Sequence, residues 1–250
     1  MIGGSGRSAK APLTTSDMDI VKLDHVQIAV EPWSWDFALG RRAEIEAHFA
    51  QFRRDRPAVW NGRVLLVNRY AIRGGVLRGA CFETDYASFI AWRDWNFADP
   101  GIANIFAAAA LRGADGAYLL GEMAPQTANG GQLYFPCGTP DLDDVGADGM
   151  LDLAGSLKRE LREETGIDIG TLASEPGWCL VRDGACLALL KRLTARESAE
   201  ALRRRIKAHV ASQRQPELAD IRIVRGPADF APAMPRFIVA FLENVWRQPA

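Results

Sequence analysis

The nine residues "RELREETGI", 159 to 167, place Glu160, Glu163 and Glu164 within one short stretch. On a helix, neighbours three and four apart share a face; relative to Glu160, Glu163 stands at roughly −60° and Glu164 at roughly +40°, an arc of about 100°. Leu153, Leu157 and Leu161 flank that arc, so the acidic stripe borders the buried side of the helix. Two carboxylates about 6 Å apart repel by roughly 3 kcal/mol at an effective dielectric near 20. Water and salt reduce this to a few tenths of a kcal/mol on an open face. Residue type and spacing alone therefore fit a solvated acidic face as well as an ion site.

The elements around this helix must position it. At 250 residues, with 48% hydrophobic and 24% charged residues, the chain has the composition of a soluble globular protein with a real core. A formal net charge of −1 supplies no field toward nucleic acid or anionic membrane, so neither is an expected partner. Cys81, Cys137, Cys179 and Cys186 show no CxxC spacing, which favours reduced thiols and a cytoplasmic setting. The most apolar run, 105 to 111, is too short to cross a bilayer.

Residues 1–17 read as a disordered lead-in. Residues 18–98 read as a small N-terminal α+β unit. It holds a strand in "DHVQIAVEP", an amphipathic helix closed by Pro57, a hairpin turning at Gly74-Gly75, and a helix capped by Asp85. "FADPGIAN" marks a boundary, and residues 99–250 carry the second unit. There, two apolar strands surround a Gly-Ala-Asp-Gly turn and a short stretch "LYFP" follows. The acidic helix spans about 151 to 165, with Gly166 at a left-handed C-cap. A hairpin at Asp183-Gly184, an Arg-rich helix near 197–213, the strand "DIRIVRG" and a last helix complete the pattern.

In this context "RELREETGI" resembles the REUxEExGU core of the Nudix hydrolases, where U is a bulky aliphatic residue. Arg159, Glu160, Leu161, Glu163, Glu164, Gly166 and Ile167 all match. The resemblance implies an α+β fold, a Nudix α/β/α sandwich on a mixed sheet, with the N-terminal unit appended. It also implies Mg²⁺ or Mn²⁺ held by Glu160, Glu163 and Glu164, with Glu160 as a third ligand or a base for the attacking water. Arg159 would orient a glutamate of the helix. The reaction implied is hydrolysis of the diphosphate in a small-molecule nucleoside diphosphate linked to X.

The full family pattern starts with a glycine fourteen residues before the arginine and has a glutamate eight before it. Here Leu151 stands at the glutamate position, with Asp152 one place later. Gly138, the leading glycine, lies twenty-one residues before Arg159, so the loop carries about seven extra residues. The loop acids Asp141, Asp143, Asp144 and Asp148 read as a solvated turn. Glu217, before a late strand, matches an acidic position that many Nudix enzymes place near the metals, as ligand or base. His25, His48 and His209 read as core or surface residues.

"PAVWNGRVLLVNRYAI" with "DYASFIAWRD" resembles the leading unit of the UDP-glucose pyrophosphatase branch, which points to a nucleotide sugar. Trp60 and Asn61 have the chemistry to stack on and hydrogen-bond a base, against a competing expectation that an indole at a strand start is buried. Two alternatives stay open. "GGQLYFPCG" is similar to the loop of coenzyme A diphosphatases, and a non-catalytic nucleotide-sugar sensor would use the same fold. A homodimer is also left open.

Overall fold

The computed structural model describes residues 18–247. The expected lead-in over 1–17 lies outside the described residues. In chain order the strands and helices are β1 (Met18–Leu23), β2 (His25–Val30), α1 (Asp36–Gly40), α2 (Arg42–Phe52), β3 (Arg63–Arg73), β4 (Val76–Asp85) and α3 (Tyr86–Asp94). The second part holds β5 (Asn104–Arg112), β6 (Tyr118–Met123), β7 (Leu133–Tyr134), α4 (Leu153–Thr165), β8 (Ala173–Ser174), β9 (Trp178–Asp183), β10 (Cys186–Thr194), α5 (Ala199–Ser212), β11 (Leu218–Val224) and α6 (Arg236–Arg247). Among the described residues, no helix is long and apolar enough to cross a membrane.

Eight strands form the large sheet, in the order β1-β9-β10-β5-β6-β11, with β7 added on β6 and β8 on β10. The sheet is mixed: β10 runs parallel to β5 and antiparallel to β9. Strand periodicity of two sends alternate β5 side chains to opposite faces. Ile105, Ala107, Ala109 and Leu111 meet Leu153, Leu157 and Leu161 of α4 and Leu202 and Ile206 of α5. Phe106, Ala108 and Ala110 meet Phe237, Ile238 and Phe241 of α6. Helices thus cover both faces, giving the α/β/α sandwich.

The small sheet, β2-β4-β3, alternates in the same way. Val64 and Leu66 of β3 pack with Ile45 and Phe49 of α2 and Ile90 and Trp92 of α3. Leu65 and Val67 face the other way, into the core beneath α4.

The strand expected in "DHVQIAVEP" is β2, which joins β4 in parallel. No strand is expected before it; β1 stands there and pairs with β9 of the large sheet, from Met18 opposite Asp183 to Leu23 opposite Trp178. The seven-residue insertion before the acidic helix has a structural task as well. Leu151 N–H donates to Ile28 O and Val30 N–H to Gly149 O, so the insertion covers the open edge of β2.

Candidate active site

α4 positions the acidic side chains. Asp152 is its N-cap, with a carboxylate that accepts from Gly155 N–H at 2.8 Å. Gly166 ends it at φ 69°, a left-handed conformation that a Cβ would disfavour. Between these ends the buried stripe runs Leu153, Leu157, Leu161 and on to Glu164, which is 5% exposed. Glu164 is buried because it lies three residues beyond Leu161 on the apolar face. Its Oε1 accepts from Cys137 N–H at 3.3 Å, in the turn that Ala109 N–H holds through Pro136 O. Gly138 follows in that turn. A Cβ there would collide with the Glu160 carboxylate, so a glycine lets the acid lie against the loop backbone.

Glu160 has a side chain only 12% exposed and receives Arg159 Nη1 at 2.7 Å. The same guanidinium gives Nη2 to both oxygens of Asp144, at 2.8 and 2.9 Å. Asp144 also accepts from Ser156 Oγ at 3.1 Å and is 5% exposed. The loop acids were expected to be solvated. Asp144 is instead a buried partner of Arg159, delivered from the insertion by a short helical turn at Leu142–Asp144. Asp152, the residue expected to stand in for the displaced family glutamate, instead caps the helix.

Glu217 precedes β11 beside a register shift between Leu218 and Asp220, where a bulge turns the strand. Its backbone is tied to Ala124 N–H, and its side chain lines a cavity of about 890 Å³ that also exposes Glu160, Gly138 and Trp60. Glu163 is the outward member of the set. Its side chain is 63% exposed and 3.9 Å from Arg159.

Electrostatics show that these acids crowd one another. Burial, opposed by Arg159 and assisted by Glu217, Glu163 and Asp144, pushes the Glu160 carboxyl up to about 7. Burial again, then the charges of Glu160 and Glu217, hold Glu164 well above its ordinary range, against the Cys137 hydrogen bond. Glu217 is raised by desolvation and by Glu163. Such a cluster favours protons or a cation in place of free negative charge. Among the described residues, no three acidic, histidine or cysteine side chains already enclose a metal-sized space. The candidate donors are nevertheless all hard carboxylate oxygens, the type that suits Mg²⁺ or Mn²⁺.

The remaining expectations divide. Trp60 was weighed as a buried indole and is 74% exposed, in the wall of the same cavity as Glu160. Asn61 does not join the cavity wall; its Oδ1 accepts from Ala87 N–H at 2.7 Å, at the start of α3. His209 is in contact with the acidic helix, its Nε2 lying 3.0 Å from Glu163 O. Sequence reasoning missed Asp144, Asn104 and Arg214. The last two also line the cavity, and Arg214 has no acidic partner among the described residues.

No family model matches the chain, and no curated protein matches it. Among solved structures it is similar to a Nudix hydrolase from M. smegmatis, RenU, at 16% identity over 58% of this chain and 83% of that one, with a TM-score of 0.36. A MutT protein from Methanosarcina mazei Go1 is 20% identical over 58% of this chain and 94% of its own, with a TM-score of 0.40. DR0079 from Deinococcus radiodurans is 14% identical over 73% and 89%, with a TM-score of 0.35. At these scores the likeness carries no weight for function. What the site can do follows from its own residues.

Proposed function

We propose that this protein is a metal-dependent pyrophosphohydrolase that cleaves the diphosphate of a nucleoside diphosphate linked to a second group, most simply a nucleotide sugar. The carrying observation is that Glu160 and Glu217 line one cavity large enough for such a substrate, with the buried Glu164 close enough for its charge to act on both. The run Arg159 to Ile167 in and after α4 resembles the core motif of the Nudix hydrolases, which supports this reading.

Glu160, Glu163 and Glu164 would hold Mg²⁺ or Mn²⁺, with Glu217 within reach of their charge. A bound divalent ion would polarise the diphosphate and lower the pKa of a coordinated water. The chain's own part is positioning and proton transfer. Asp144 fixes Arg159, and Arg159 fixes the Glu160 carboxylate. Glu160 or Glu217, both raised by burial, would take a proton from the attacking water. Arg214, uncompensated on the cavity rim, meets the phosphate charge. Water adds to one phosphorus as the anhydride P–O bond breaks, leaving two phosphomonoesters.

The test is a panel of UDP-sugars, ADP-ribose, coenzyme A and dinucleoside polyphosphates, assayed for phosphomonoester release with and without Mg²⁺. Wild type should turn over one class only with the metal. Glu164→Gln should lose at least ~100-fold in kcat with an unchanged circular dichroism spectrum. Equal turnover by the variant would refute the assignment, and binding without turnover by wild type would favour the sensor.

A further inference from the structure

Four large hydrophobic side chains stand well exposed among the described residues: Trp33, Leu39, Trp60 and Leu142. Of these, only Trp60 lines the cavity that holds Glu160 and Glu217. Its indole lies over Gly62, where a Cβ would come within 2.8 Å of the ring's Cη2. The missing side chain at Gly62 is therefore what lets the ring rest where it does. An indole so placed leaves a large apolar face in water.

A second observation comes from the other unit. Asn104, at the start of β5, lines the same cavity, and its Oδ1 is buried with no hydrogen-bond donor. A buried carbonyl without a partner is rare in folded proteins and destabilises them unless a ligand supplies the donor. Phe97, which also lines the cleft, follows Asn96 in a left-handed turn that ends α3, its N–H donating to Trp92 O. An exposed platform and an unmet acceptor share one cleft.

We propose that the cleft lined by Glu160 and Glu217 also holds a nucleoside-binding subsite, with Trp60 as the stacking platform for the base and Asn104 as the acceptor for an N–H or O–H of the nucleoside. A nucleoside meets both requirements at once, since the base has an uncharged planar face and the base and ribose carry donors. Trp60 and Asn104 come from opposite sides of the boundary near residue 99, so neither unit alone makes the subsite. The identity of the ligand rests on the pyrophosphohydrolase reading, whereas the subsite rests on the cleft itself.

Isothermal titration in metal-free buffer separates the two. The probes are UMP, AMP and ribose 5-phosphate, none of which contains a diphosphate bond. Wild type should bind one of the mononucleotides at least ~10-fold more tightly than ribose 5-phosphate. Trp60→Ala should bring that ratio close to one without lowering the melting temperature, because the side chain is exposed. Gly62→Ala keeps the indole but displaces it, and should reduce the ratio as well. Asn104→Leu should weaken mononucleotide binding while leaving the melting temperature the same or higher, since it removes an unmet polar group. A wild-type ratio near one, or a ratio unchanged in Trp60→Ala, overturns the subsite even if the protein hydrolyses diphosphates. Unchanged affinity in Asn104→Leu removes Asn104 from it. Base-dependent binding with no hydrolysis of any diphosphate overturns the enzymatic reading and leaves the subsite standing.

Discussion

Glu160 shows how one side chain couples stability to the site's chemistry. Its ordinary value is 4.5, and in the fold it stands at about 7. The folded state thus holds the proton more tightly than the unfolded chain. Its stabilising contribution is complete below pH 4.5 and is lost as pH rises through about 7. The loss is on the order of 2 to 3 kcal/mol for this group. In EDTA, the melting temperature should fall progressively between pH 4.5 and 7, and the fall should be shallower in Glu160→Gln. Mg²⁺ added at pH 8 should restore the wild type, because a cation takes over the compensation that the proton gave. A melting temperature that is flat across that window would contradict the burial of the acid. At this scale the sequence was legible where spacing alone sets the face: Glu164 on the leucine stripe follows from helical geometry. It was silent where a tertiary contact decides. Nothing in the run of loop acids distinguishes Asp144 from Asp141, Asp143 or Asp148, and only Arg159 and Ser156, brought up by the fold, do so.

At the level of elements, α4 and the insertion before it act as one device. The helix is legible from its leucine spacing and from Gly166 beyond the last turn, whereas the capping role of Asp152 emerges only in the fold. The insertion is not legible, because its partner is the distant edge of β2. Two aspartates twelve residues or fewer from the helix core therefore have unequal tasks. Asp152 caps, and an asparagine caps equally well, so Asp152→Asn should leave both melting temperature and kcat close to wild type. Asp144→Asn breaks a bidentate pair with Arg159 and leaves the guanidinium with less compensation. Breaking such a pair costs about 3 kcal/mol when fully buried, and about half that is expected here because Arg159 is partly solvated. Arg159 would then hold Glu160 less firmly, so kcat should fall by roughly 10-fold or more while KM changes little. Equal effects of the two substitutions, measured by thermal melts and steady-state kinetics, would mean that Asp144 is only another loop acid.

On the scale of the whole molecule, the boundary expected near residue 99 does not divide the core, since one cluster holds residues from both sides of it. The composition shift at "FADPGIAN" is real, and the small sheet does own a cluster built from α2, α3 and one face of β3. The other face of that sheet has no helix of its own. It closes instead on the core of the large sheet, where Leu23, Ile28, Leu65, Val67 and Leu77 are all buried with Leu157 and Leu161. Alternation along β3 predicts two apolar faces but cannot say which partner covers each, and the pairing of β1 with β9 spans most of the chain. This arrangement lets Trp60 of the first unit line the same cleft as Asn104, Glu160 and Glu217 of the second. It also has an energetic consequence. Five aliphatic side chains at about 2 kcal/mol each sum to about 10 kcal/mol of burial, which is comparable to the whole net stability of an ordinary domain. A chain truncated to residues 99–250 also loses the edge strand β1 and uncovers β9. It should therefore show no cooperative thermal transition and no Mg²⁺-dependent turnover, even though it contains the entire acidic helix. A sharp melt with native-like circular dichroism would show instead that the second unit stands alone and that the shared core adds only substrate selectivity.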